Sequence, residues 1–104
     1  MNSKILSLVS LCKRAGRLLL GFDVVKQAAE DQSARLILLA SDISPKTEKE
    51  VAFIAQKTGV RVAKMPHTMD EVWMSVNKRA GVLAVTEQGF ADKLYGMLSD
   101  QKED

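Results

Sequence analysis

One cysteine, one histidine, five aromatic residues and no long apolar run set the first limits on this chain of 104 residues. Cys12 alone excludes an intrachain disulfide, and a single cysteine with a single histidine leaves no cluster able to saturate a zinc site. With so few aromatics, the core must be built from Leu, Val, Ile, Ala and Met. Apolar runs such as Leu18–Leu20 and Leu36–Ala40 fall far short of the ~20 residues that cross a bilayer. The first twenty residues also lack the basic head and apolar block of a secretory leader. No membrane association is expected, and the expected location is the cytoplasm.

Catalytic constellations are equally scarce. Acid–base and nucleophilic chemistry need a nucleophile, a base and an orienting group that converge. Cys12 lies on an apolar stripe and reads as a small core residue. His67 sits between Pro66 and Thr68 in a predicted turn, as an exposed imidazole without a role. Asp23 reads as a helix cap and Asp42 as a turn former. Gly16 and Gly21 are not followed by a Lys-Ser/Thr pair, and no G-x-G-x-x-G occurs. No enzyme, no cofactor and no metal site is expected.

The length suits one domain, expected over residues 1–98, with 99–104 a polar, frayed tail. The net charge of +2 conceals a skew. Residues 1–29 carry five basic side chains and one acid, whereas residues 87–104 carry five acids and two bases. Such a basic front is compatible with an anionic partner.

Apolar spacing outlines the elements. Ser3 serves as a possible N-cap for a helix with Ile5, Leu8, Val9 and Cys12 on one face, ending near Gly16. Leu18–Leu20 form a short strand. A second helix, capped by Asp23, runs to about Gln32, with Val24, Val25, Ala28 and Ala29 as its stripe. Residues 35–40 carry four consecutive large aliphatics, the pattern of a central strand covered on both faces. Ser44 and Pro45 cap and open a third helix that ends at Gly59. Residues 60–65 form a strand. Thr68 and Glu71 supply a capping box for a helix with Met69, Val72, Trp73 and Val76 on its core face. Residues 82–86 form the fourth strand, and Phe90, Leu94, Met97 and Leu98 mark a last helix. The order αβαβαβαβα implies a three-layer α/β/α sandwich with a largely parallel sheet.

What remains is a basic segment, Lys13, Arg14, Gly16, Arg17, Gly21, Phe22, Asp23, Lys26 and Gln27, running into the start of the second helix. Free N–H groups at a helix start, flanked by Arg and Lys, suit phosphates, and short polar side chains there can reach base edges. A second cluster, Asn77, Lys78, Arg79, Ala80 and Gly81, precedes the last strand. In a mostly parallel sheet the two clusters lie at opposite ends unless one edge strand is antiparallel. Mixed sheets permit that, and periodicity leaves both arrangements open.

Three ordered blocks carry a family resemblance. Residues 11–21, LCKRAGRLLLG, resemble A-x-R-A-G-K-L-x-x-G; residues 34–45, ARLILLASDISP, resemble A-K-L-V-I-L-A-x-D-x-S-P; and residues 82–94, VLAVTEQGFADKL, resemble V-V-A-V-T-D-x-G-F-A-x-K-L. Together they resemble the L7Ae/L30e superfamily of kink-turn RNA-binding ribosomal proteins, and within it the small bacterial YlxQ-like members. The resemblance implies an α/β/α sandwich with a four-stranded mixed sheet. It also implies a non-catalytic ribonucleoprotein component that binds kink-turn or ribosomal RNA, with the ribosome as its setting. By this resemblance the RNA is held by the start of the second helix together with the loop before the last strand. The expected interface is therefore Arg14, Arg17, Gly21, Phe22, Asp23, Val24, Lys26, Gln27, Asn77, Lys78, Arg79, Ala80 and Gly81.

The chain departs from the family pattern at that helix start. Where kink-turn binders read G-x-N-E-x-x-K, Gly21 is kept, while Asp23, Val24 and Gln27 stand for Asn, Glu and Lys. Asp23 keeps an acceptor without the amide donor, Val24 has no polar group, and Gln27 can bond a base without neutralising a phosphate. Lys26, one position earlier, points ~100° away. The L-G-x-x-x-G-K stretch reads VWMSVNK at 72–78, without its glycines. The alternative reading is a protein-interaction module on the same fold, docking a partner through Phe22 and Val24.

Overall fold

The computed structural model describes residues 3–101. Helices and strands alternate in the expected order: α1 (Ser3–Arg14), β1 (Leu18–Leu20), α2 (Phe22–Glu30), β2 (Leu36–Leu39), α3 (Pro45–Thr58), β3 (Val62–Lys64), α4 (Met69–Val76), β4 (Val82–Val85) and α5 (Gln88–Gln101). The four strands form one sheet in the order β1-β4-β2-β3. β2 and β3 are parallel, while β4 runs antiparallel to both β1 and β2. The sheet is mixed, and its antiparallel strand lies in the interior rather than at an edge. The α2 crossover carries β2 one strand position beyond β1, and β4 returns from the far end of the chain to fill the slot.

Because side chains on a strand alternate between faces, the continuous aliphatic run of β2 feeds two cores. Leu36 and Leu38, with Leu83, Val85, Ala63 and Met65, pack against Ile5, Val9 and Cys12 of α1, Val72 and Val76 of α4, and Ala91, Leu94 and Leu98 of α5. Ile37 and Leu39, with Val82 and Ala84, pack against Val25, Ala28 and Ala29 of α2 and Val51 and Ile54 of α3. The layers are thus α1, α4 and α5 on one side of the sheet and α2 with α3 on the other. Each of the buried Val, Leu, Ile and Met side chains contributes about 1.5–3 kcal/mol relative to exposure, and the alanines less.

The local signals at α3 and α4 hold. Ser44 Oγ accepts the Thr47 N–H at 3.1 Å, with Pro45 at the first helical position. Thr68 Oγ1 accepts the Glu71 N–H at 3.2 Å, and Glu71 Oε1 accepts the Thr68 N–H at 2.8 Å, closing the capping box. Other expectations need correction. Asp23 does not cap α2, which begins two residues earlier than a cap there would allow, at Phe22, with Gly21 as N-cap and no side-chain cap bond. Trp73 is 53% exposed, because the core stripe of α4 is centred on Val72 and Val76 and the next residue is turned ~100° away. His67 is buried, at 4% exposure, because its carbonyl accepts the Ser41 N–H at 2.8 Å and draws the turn against the end of β2. α5 continues through Gln101, into the segment expected as a tail, while 102–104 and the capping side chain of Ser3 lie outside the described residues.

Cys12 is a core thiol. It donates to the Arg17 carbonyl at 3.2 Å, and burial, aided by the nearby Glu87 carboxylate, pushes it up from 9.0 to about 11. The thiolate is the nucleophile, so folded protein is expected to resist alkylation near pH 8 and to react once denatured, read by mass spectrometry. A raised thiol value also makes the folded state the stronger proton binder. Its contribution to stability is therefore full below pH 9 and lost as the pH rises through about 11.

Gly81 provides a steric test of the loop entering β4. A Cβ there would stand 2.6 Å from Ile43 Cγ2 and 3.0 Å from Met69 Sδ. Gly81→Ala is expected to destabilise by about 1–3 kcal/mol in urea unfolding. Pairing it with Ile43→Ala should cost less than the sum of the single changes.

Candidate nucleic-acid interface

The interior position of β4 decides which loops meet. β1 ends where β4 begins, and the Gly21 N–H donates to the Val82 carbonyl at 2.9 Å. On the other side of β4, the Ala40 N–H donates to the Gly81 carbonyl at 2.9 Å. The start of α2, the α4–β4 loop and the β2–α3 turn therefore converge at one end of the sheet.

Gly21 is the hinge of this arrangement. Its φ of 112° and ψ of 148° lie in a region essentially closed to side-chain-bearing residues. That conformation lets its N–H complete the pairing with β4 while its carbonyl accepts the Val25 N–H at 3.0 Å, turning strand directly into helix. The first-turn N–H groups of α2 receive no side-chain cap. They carry the positive end of the helix dipole to the surface beside the α4–β4 loop.

Helical spacing sorts the side chains of α2. Asp23, Val24 and Gln27 form an exposed face, with Val24 47% exposed. Phe22 and Lys26 instead line the groove towards α3, together with Glu30. Lys26 thus lies on a different wall from Gln27.

The α4–β4 loop is fixed at both ends. Asn77 closes α4 in the left-handed conformation, donating its N–H to the Trp73 carbonyl at 2.8 Å. Lys78 and Arg79 are exposed. Arg79 Nε donates to Asp70 Oδ1 at 3.0 Å, an ion pair whose members are both more than half exposed and which holds the guanidinium over the first turn of α4. Such an exposed pair is worth about 0–1 kcal/mol and leaves the charge available to a ligand. Ala80 is buried, so its methyl group belongs to the core.

The β2–α3 turn is the part that sequence reading missed. Asp42, read as a local turn former, accepts the Met69 N–H at 3.0 Å and so caps α4 from a position 27 residues earlier. Ile43 packs on Gly81. The Asp-x-Ser-Pro block was visible, but a cap reaching across the fold carries no local signature.

Two expected residues stand apart. The Arg17 carbonyl accepts the Thr86 N–H at 2.9 Å at the opposite end of β1 from Gly21. The intervening three-residue strand separates them by about 10 Å or more. Arg14 lines a groove with Leu6, Ser7, Ser10 and Ser75 on the α1 and α4 surface. The set thus divides: Gly21, Phe22, Asp23, Val24, Gln27 and the 77–81 loop share one end of the sheet, Lys26 faces α3, and Arg14 and Arg17 lie elsewhere. Among the described residues, no three His, Cys, Asp or Glu side chains gather to hold a metal ion. Nor is any described helix long and apolar enough to cross a membrane.

Known proteins share both sequence and architecture with this chain. RNA-binding protein YlxQ of Bacillus subtilis (strain 168) is 35% identical over 92 residues, spanning 88% of this chain and 91% of that protein. A protein of unknown function from Bacillus halodurans C superposes with a TM-score of 0.87 at 27% identity, covering 92% of this chain and 97% of the other. The Giardia lamblia 15.5kD RNA binding protein superposes with a TM-score of 0.78, covering 95% of this chain and 88% of its own; at 14% identity, that likeness concerns the fold. The family model for Ribosomal protein L7Ae/L30e/S12e/Gadd45 matches residues 3–95, and the chain belongs to that family.

Proposed function

We propose that this chain is a non-catalytic RNA-binding protein that holds a structured, kink-turn-like RNA at the end of the sheet where α2 begins, in the setting of the ribosome. The observation that carries the reading is the bond from the Gly21 N–H to the Val82 carbonyl, which sets the uncapped start of α2 beside Lys78 and Arg79. Backbone N–H groups, an ammonium and a guanidinium on one edge suit the crowded phosphates of a bent backbone. Asp23 and Gln27 supply an acceptor and an amide at hydrogen-bonding reach of base edges. The 35% identity to an RNA-binding protein supports the same partner. Burial of Cys12 and His67 removes the two side chains most suited to nucleophilic or acid–base work from substrate reach.

Phosphate contact falls to Lys78, Arg79 and the first-turn N–H groups of α2, with the Arg17 backbone at the opposite end of β1. Val24, exposed beside half-buried Phe22, favours the second reading, a partner protein docked on the same edge. Binding of a kink-turn RNA and a straight duplex across a salt series separates the two. An RNA binder loses affinity linearly in log salt and prefers the bent RNA. Arg79→Ala is expected to weaken both RNAs and to reduce the salt slope by about 0.7–0.9. Gln27→Ala is expected to change the ratio between the two RNAs, and Arg17→Ala to leave kink-turn affinity nearly unchanged. Equal, salt-insensitive affinity for both RNAs would overturn the RNA reading in favour of the protein partner.

A further inference from the structure

α2 and α3 lie side by side on one face of the sheet and both begin at the end where the proposed RNA edge lies. Between them runs a groove of about 440 Å³. One wall is the row Phe22, Lys26, Glu30 on α2, and the other is the row Lys49, Phe53, Lys57 on α3, each at i, i+4, i+8 spacing. Phe53 is 67% exposed, an unusual position for a phenyl ring. Glu50 also lines the groove, so three ammonium groups face two carboxylates. Among the described residues, Lys26, Lys49 and Lys57 enter no ion pair, whereas Lys64 of β3 is matched to Glu48 at 3.3 Å.

We propose that this groove receives an unpaired nucleotide of the RNA strand that leaves the α2 edge, with its base stacked on Phe53 and its phosphates beside Lys26, Lys49 and Lys57. The inference rests on the proposed RNA function and extends it to a second subsite. Three observations select the occupant. The groove opens at Phe22, the first residue of α2, and is therefore continuous with the RNA edge. Alongside Glu30 and Glu50 it carries two aromatic rings and three ammonium groups, and aromatic rings with cations hold single strands through stacking and backbone charge. Its lysines are uncommitted within the fold, and their excess over carboxylates matches a polyanion.

The test compares a kink-turn RNA with the same RNA carrying a short unpaired tail at either end, measured by fluorescence anisotropy. The wild-type chain is expected to bind one tailed form about ten-fold or more tighter than the tail-less form. Phe53→Ala is expected to abolish that gain while leaving tail-less affinity unchanged, and Phe53→Tyr, which keeps the ring, to retain it. Thermal unfolding of Phe53→Ala should match wild type, because the ring is largely exposed. Absence of a tail effect, or its persistence in Phe53→Ala, overturns the groove while tail-less binding leaves the RNA function standing. Failure of every RNA to bind overturns both. Self-association of the wild-type chain that Phe53→Ala dissolves, seen by sedimentation, would assign the groove to a second copy and overturn the nucleotide.

Discussion

A strand inserted late between two strands made early is the constraint on which the molecule depends. β4 pairs antiparallel with β1 on one side and β2 on the other. Without it, β1 and β2 would stand a strand's width apart, and neither hydrophobic core would be continuous. The same insertion brings the loop entering β4 to the end of the sheet where β1 leaves, which a fully parallel sheet forbids. The pairing that completes the fold is therefore also the pairing that assembles the proposed interface.

That edge is held mainly by short-range packing and backbone bonds. Asp42 caps α4, the Ser41 N–H bonds the His67 carbonyl, and Ile43 fills the space above Gly81. The three charge pairs among the described residues are exposed and add little to stability. Backbone fixed by these contacts surrounds a few exposed cationic side chains. A partner that binds there meets a preformed frame and pays ordering entropy chiefly for those side chains.

Much of this was legible in the chain itself. Element order, the caps at Ser44 and Thr68 and the double-faced burial of β2 follow from periodicity and local chemistry. The family resemblance of residues 11–21, 34–45 and 82–94 pointed to the mixed sheet and the helix start. The rest depended on contacts between distant segments. Periodicity marks that 82–85 form a strand but not which neighbours it takes, so Arg17 was grouped with Gly21 although a strand separates them. Trp73 and His67 depart from their local patterns for related reasons: a stripe one residue off centre turns an indole outward, and a remote carbonyl bond pulls a turn inward. No local pattern pairs Lys26 with Phe53, because helices α2 and α3 meet only in the folded state.

The strand order has an implication for how the chain is made. A nascent chain emerging residue by residue exposes β1, β2 and β3 before the strand that belongs between β1 and β2 exists. Until Val85 has left the ribosomal tunnel, β1 has no strand partner, and β2 presents an open apolar border, the kind of edge that recruits other chains. Closure then joins residues more than sixty positions apart, a slow, long-range step. Evolutionary or engineered changes near the carboxyl end thus act on the last move of assembly, and a chain cut short before β4 would leave β1 without a strand partner and one border of β2 open.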